Sequence, residues 1–169
     1  YIGYDVAVIG NHDIEMGKRV FDKFVKECNY PILGANAIDT ATGEPYFQPY
    51  EIFYRQGLKI AVVGFITPAI PHWIPKKTWE GMRFEDIKES AEKWVKIIQE
   101  EEHPDYIVGL MHSGMNEGIV TPEYKENATR ETAESVEGFD LILYGHDHSS
   151  NIEEVVTKSG HTVPCVNPG

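Results

Sequence analysis

Four histidines and one asparagine carry the chemistry that this sequence can do. Gly10-Asn11-His12-Asp13 follows the apolar run Val6–Ile9, His112-Ser113-Gly114 follows Tyr106–Met111, and Gly145-His146-Asp147-His148 follows Leu141–Tyr144. Each run has the length and composition of a buried strand, and each gives way at once to metal-ligand side chains. Imidazole nitrogens and an amide oxygen converging from several strand ends suit a hydrolytic metal centre. A divalent ion accepts His112 and His146 as neutral imidazoles and Asn11 through its amide oxygen, with positions left for water and a substrate oxygen. His146 and His148 stand two residues apart, so an extended segment would point them in opposite directions. That spacing suits ligands to two neighbouring ions ~3.5–4 Å apart. His12 cannot readily reach the ion of its neighbour Asn11, which leaves it free as the general acid at a leaving-group oxygen. Glu15 could orient His12, or stand as a solvated carboxylate at a helix start. His72, His103 and His161 fall in loops or a hairpin without partners and read as surface or packing residues.

The elements that must position these residues alternate between strand and helix. Lys18–Cys28 reads as a helix with Val20, Phe21, Phe24, Val25 and Cys28 on one face. Pro31–Ala35 reads as a short buried strand ending at Asn36. Tyr50–Tyr54 and Lys59–Phe65 form an expected hairpin turning at Gln56-Gly57, its second strand apolar enough to be covered on both faces. Ile70–Gly81 reads as a loop rich in Pro and Trp. Phe84–Glu100 is an expected amphipathic helix with Ile87, Ala91, Trp94, Val95 and Ile98 inward. A shorter helix spans about 128–136, and Ile152–Val156 pairs with Thr162–Val166 around Ser159-Gly160. Tyr1–Asp5 read as the approach to a strand. Helices between buried strands mean crossover connections and a largely parallel sheet of an α/β fold. Ligands in such sheets sit beyond the carboxyl ends of the strands, which places all three histidine-bearing ends on one rim.

Composition narrows the function classes. Fifteen basic against 27 acidic residues give a net charge of −12, a surface that repels nucleic-acid polymers. A small phosphorylated substrate fits only if a bound cation reverses the local field. No apolar run reaches the ~20 residues that span a bilayer, so no membrane insertion is expected. Cys28 and Cys165 have neither zinc-finger spacing nor a disulfide framework. At 169 residues a single domain is expected.

The three histidine motifs, in this order, resemble those of the calcineurin-like metallophosphoesterases. Ala35-Asn36-Ala37 and Gly64-Phe65-Ile66-Thr67-Pro68 make the chain similar more narrowly to the 5′-nucleotidase / 2′,3′-cyclic-nucleotide 2′-phosphodiesterase branch. The resemblance implies a four-layer α/β/β/α sandwich and hydrolysis of nucleotide phosphate esters by metal-activated hydroxide. It implies Asn11, His112 and His146 on one divalent ion (Mn, Zn, Fe, Mg or Ca), His148 on a second, and His12 as the acid. A small nucleotide is the implied substrate, and a periplasmic, cell-surface or secreted parent the implied setting.

The chain also departs from that pattern. Family members open with Asp-x-His and Gly-Asp motifs, and neither occurs in this sequence. Many 5′-nucleotidases have Asp where Glu15 stands. Residues 1–169 are therefore expected to be part of one catalytic domain, without the N-terminal metal motifs or the C-terminal nucleotide-recognition domain. One weak metal site is expected, since the carboxylates that would anchor both cations are missing. An unpaired sheet edge would invite a homodimer. The rival reading is a truncated metal-binding domain that does not turn over. A mononuclear zinc hydrolase is disfavoured, because Asn is an uncommon sole oxygen ligand for catalytic zinc.

Overall fold

The computed structural model describes residues 3–169; Tyr1 and Ile2, part of the expected strand approach, lie outside the described residues. Among the described residues, ten strands and five α-helices follow one another. They are β1 (Ala7–Val8), α1 (Asn11–Glu15), α2 (Lys18–Glu27), β2 (Ile32–Leu33), β3 (Ala37–Asp39), β4 (Tyr50–Arg55), β5 (Leu58–Ile66), α3 (Ile70–Trp73), β6 (Met82–Phe84), α4 (Ile87–Glu102), β7 (Tyr106–His112), α5 (Thr129–Ser135), β8 (Leu141–Tyr144), β9 (Ser150–Val156) and β10 (Thr162–Pro168).

A six-stranded sheet in the order β4-β5-β7-β8-β10-β9 forms the centre. β5, β7, β8 and β10 run parallel, with helical crossovers α4 and α5 between β5 and β7 and between β7 and β8. The edge strands β4 and β9 are antiparallel hairpin partners, so the sheet is mixed. The first hairpin turns where the alternation predicts, with Gln56 at φ 52° and Gly57 at φ 85°, the paired positive values of a type I′ turn. Separate two-stranded pairs join β1 to β2 in parallel and β3 to β6 in antiparallel.

Two cores explain why β5 is apolar without interruption. Ala61, Val63 and Phe65 pack with Ile87, Ala91, Val95 and Ile98 of α4 and with Ile107, Met111 and Ile142 of the neighbouring strands. Ile66 instead joins Ile9, Ile14, Phe21, Ile32, Phe47 and Ile70 in a second cluster around β1, β2, α1 and α2. The two cores meet where the chain leaves β2. A Cβ on Gly64 would lie 2.3 Å from Leu33 Cβ, so only glycine lets the two backbones come this close. Ala35 N–H donates to the Gly64 carbonyl at 2.7 Å, and Gly34 N–H to that of Gln48 at 2.9 Å.

Asn36 secures this crossing. It is fully buried; its amide donates to the carbonyls of Ile66 at 2.7 Å and Glu85 at 2.9 Å, and its oxygen accepts from Ile66 N–H at 2.9 Å. The end of β5 and the approach to α4 are thereby held by one side chain.

Three expectations change. The segment 70–81 is not all loop: it holds α3 and a 3-10 turn at Lys76–Thr78, and β6 follows. β3 and β6 are three residues each, too short for alternation to register. The long helix starts at Ile87, not Phe84, because Asp86 caps it by accepting from Glu89 N–H, while Phe84 is spent pairing with Ala37. On α2, Phe21 is buried but Val20 and Phe24 are exposed, since the two-stranded pair beneath covers only part of the helix face.

Replacing Asn36 by Leu removes the partners of three buried backbone groups at similar volume. Stability should fall by on the order of 3 kcal/mol, read as a lower urea midpoint at unchanged slope.

Candidate metal centre

Each predicted site residue sits at a strand end or just past it: His112 is the last residue of β7, while Asn11, His12, His146 and His148 follow β1 and β8. β1 leads through Ile9, whose N–H bonds the Leu33 carbonyl at 2.9 Å, to Gly10, where the backbone turns into α1. The turn after β1 is helical because Asp13 accepts from Gly10 N–H at 2.8 Å, which occupies that carboxylate structurally. Asn11 is thus presented from the first helical position and His12 from the next.

The structure brings Asn11, His112 and His146 together. His112 Nε2 lies 2.7 Å from Asn11 Oδ1, and the His112 and His146 rings are 5.0 Å apart between centroids. Gly10 makes room for this, since a Cβ there would stand 3.0 Å from His112 Cε1. His12 points outward, its side chain 73% exposed, with Nδ1 at 2.9 Å from Glu15 Oε2. Of the two sequence readings of Glu15, the orienting contact is therefore formed. His148 is exposed.

The Gly145–His148 turn is not extended. His146 has φ 91° and His148 φ 52°, left-handed values that cost a histidine energy and need external support. Asp147 supplies it. Its carboxylate accepts from Met115 N–H at 3.1 Å, Ser149 N–H at 3.2 Å, Ser149 Oγ–H at 2.8 Å and the Asn167 amide at 2.8 Å. Burial works to raise the Asp147 carboxyl, but these bonds and the nearby His146 carry it below its ordinary value. The loop after β8 is thereby tied to the loop after β7 and to β10.

Sequence reasoning missed Glu126. It lies between the His112-Ser113-Gly114 motif and the helix expected at about 128–136, where no element was expected, yet its Oε1 is 3.1 Å from His146 Nε2 and its Oε2 accepts from Ile119 N–H at 2.7 Å. The available signal was a carboxylate shortly before a helix in a stretch otherwise lacking a strand. Trp73, part of the Pro-rich segment, lies with its ring 5.6 Å from that of His146. Trp79 packs on Phe84 and donates to the Ile74 carbonyl.

Burial pushes the His112 imidazole down from 6.5 to about 4, and the neighbouring His146, His12 and His148 push it the same way. A neutral imidazole is what a metal ion requires. The 2.7 Å between Asn11 Oδ1 and His112 Nε2 is close to the about 3 Å between adjacent donors on an ion with ~2.1 Å bonds. Among the described residues no three His, Cys, Asp or Glu side chains gather into a cage. The donors that meet at this rim are the uncharged set Asn11, His112 and His146.

The depressed His112 value has a stability consequence. The unfolded chain takes up this proton near pH 6.5 and the folded chain only near pH 4, so stability contributed by neutral His112 is full above pH 6.5 and is lost as pH falls toward 4. Urea titrations across that window should show a loss of on the order of 2–3 kcal/mol beyond that of His112→Gln, whose profile should be flatter.

Comparison with known proteins places this geometry in context. The model of the calcineurin-like phosphoesterase family matches residues 2–150. The chain is 39% identical over 113 residues to a 5′-nucleotidase of Vibrio cholerae, covering 67% of this chain and 20% of that protein. It is 30% identical over 159 residues to a 2′,3′-cyclic-nucleotide 2′-phosphodiesterase/3′-nucleotidase of Yersinia enterocolitica, covering 88% and 24%. The crystal structure of the calcineurin-like phosphoesterase YfkN from Bacillus subtilis superposes with a TM-score of 0.83 at 30% identity, over 98% of this chain and 54% of that one. The chain thus spans about a fifth to a quarter of the length of these two curated relatives. Calcineurin-like phosphoesterases use divalent metal ions. With its strand-end histidines, its mixed α/β sheet and a family match over most of its length, this chain belongs to the calcineurin-like phosphoesterase family.

Proposed function

We propose that this chain is part of the catalytic domain of a hydrolase of nucleotide phosphate esters, of the 5′-nucleotidase or 2′,3′-cyclic-nucleotide phosphodiesterase type. The observation that carries the reading is the meeting of Asn11, His112 and His146 at one rim, from three loops far apart in sequence. Relatives named for those two activities support the substrate class. On this reading the domain is the α/β/β/α sandwich, with β1–β2 the inner layer facing the large sheet.

Asn11, His112 and His146 would hold one divalent ion, and His148 would face a second. An ion held there supplies Lewis acidity toward a phosphoryl oxygen and toward water. The chain's own residues do the rest. His12 stands beside Asn11 but free of the His112 contact, and Nδ1 faces Glu15, which turns Nε2 outward. A proton on that outward nitrogen is placed to go to the leaving ester oxygen. His112 stays uncharged at neutral pH and keeps a lone pair for an ion.

A second reading rests on the lack of any three-residue His, Cys, Asp or Glu cage among the described residues. On it, the chain binds an ion weakly and does not turn over. Hydrolysis of bis-p-nitrophenyl phosphate with added Mn²⁺ decides between them. Turnover that falls at least about 100-fold in both Asn11→Ala and His12→Ala supports the enzyme, on the scale of a lost acid or ligand. No turnover at any Mn²⁺ concentration supports the inert domain.

The proposed homodimer would use the free edge of β1, which among the described residues pairs only with β2. Light scattering should give twice the mass of a single chain, and a monomer at all concentrations would remove this proposal.

A further inference from the structure

We propose that Glu126 is a positioning residue, fixing the tautomer and direction of His146, and that residues 119–126 form a small hairpin built to deliver it. The inference rests on the reading of His146 as a metal ligand.

Residues 119–126 fold back on themselves. Glu126 N–H donates to the Ile119 carbonyl at 2.8 Å, Val120 bridges to Lys125, and Thr121 N–H bonds the Tyr124 carbonyl at 2.9 Å. The hairpin is anchored at both ends. At its tip Tyr124 Oη and His72 Nδ1 of α3 are within 2.5 Å, and at its base Ser113 Oγ–H donates to the Glu126 carbonyl at 2.8 Å. The next residue, Asn127, accepts from Gly114 N–H at 2.8 Å. One carboxylate oxygen of Glu126 is pinned by Ile119 N–H, which leaves the other directed at His146 Nε2, 3.1 Å away.

A carboxylate can only accept, so this contact puts the imidazole hydrogen on Nε2 and the lone pair on Nδ1. The His146 ring is confined on two sides, by the Trp73 ring at 5.6 Å and the His112 ring at 5.0 Å. Its side chain is 13% exposed and that of Glu126 14%, so water does little to weaken the bond. Confinement sets the plane of the ring, and Glu126 sets which nitrogen meets an ion. Carboxylates behind ligating histidines act in this way, raising ligand basicity as well as fixing orientation.

The test uses the whole chain, first without metal. A slowly exchanging imidazole proton correlated with His146 Nε2 should be seen by NMR in the native chain, absent in His146→Gln and lost to solvent exchange in Glu126→Ala. Glu126→Gln, whose amide oxygen can still accept, should keep it. Mn²⁺ affinity by calorimetry should fall 10–100-fold in Glu126→Ala and recover most of that in Glu126→Gln. Glu126→Gln also keeps the test open if the alanine variant does not fold. The proposal is overturned if the protected hydrogen lies on Nδ1, or if Glu126→Ala binds Mn²⁺ as tightly as the native chain. It is equally overturned if neither variant binds and both match His146→Ala, which would make Glu126 itself a ligand. A native chain that binds no Mn²⁺ removes this proposal, whereas binding without phosphoester hydrolysis removes only the functional reading.

Discussion

The passage of the chain across β5 at Gly64 is the constraint on which the rest depends. Leu33 lies against a residue that has no Cβ, and the backbone bonds from Ala35 and Gly34 lace the segment after β2 into the β4–β5 hairpin. Because β1 pairs with β2 in register, Ala7 with Ile32 and Val8 with Leu33, fixing β2 also fixes where β1 ends. That end is Asn11. β7 pairs with β5 in parallel up to Ile66 and His112, so the same crossing fixes His112 relative to Asn11. The 2.7 Å contact between them is therefore a consequence of sheet packing, with Gly10 supplying the last clearance.

Around the rim the acids frame the site and do not line it. Asp13 is bound to Gly10 N–H, Asp147 to Met115, Ser149 and Asn167, Glu126 to Ile119 and His146, and Glu15 to His12. Each carboxylate is already spent on holding a loop or an imidazole. What the three loops bring to the rim is then a set of neutral donors, Asn11, His112 and His146, in a chain of net charge −12. Such donors give direction and geometry, while the surrounding negative charge favours a cation over a long range that salt screens. Burial of His112 fits this division, because it keeps the central imidazole uncharged where protonation would compete with an ion.

Much of this was legible in the residues, for physical reasons that differ by element. β5 announced itself because covering both faces forces an unbroken apolar run, and Gln56-Gly57 because both positions need positive φ. The histidine motifs stood out because polar residues directly after buried runs have few structural reasons to be there. β3 and β6 were illegible, being three residues each, and so was α3, whose single turn begins with Pro in its first positions. Glu126 was illegible for another reason. Its role depends on a short hairpin held by two backbone bonds and by the Thr121 and Glu126 side chains bonding nearby backbone, local contacts that leave no alternating pattern to read. The expected extended geometry of His146 and His148 failed because Asp147 compels the turn through partners 32 residues before it and 20 after it, Met115 and Asn167.

These ties make the three motif loops one mechanical unit. Asn11 meets His112 across the β1 and β7 ends, Asp147 joins the β8 loop to Met115, and Glu126 joins the same β8 loop to the hairpin before α5. No loop holds its rim side chain alone. Groups linked through shared partners respond to substitution non-additively, so the cost of losing one contact depends on which others remain. The left-handed backbone at His146 and His148 sharpens this dependence, because strain persists only while surrounding contacts over-determine it. Asp147 fixes the backbone of the turn and Glu126 fixes the ring that the turn presents. The His146 imidazole is thus held twice, once through the main chain by the Asp147 contacts and once at the ring by the Glu126 carboxylate 3.1 Å away.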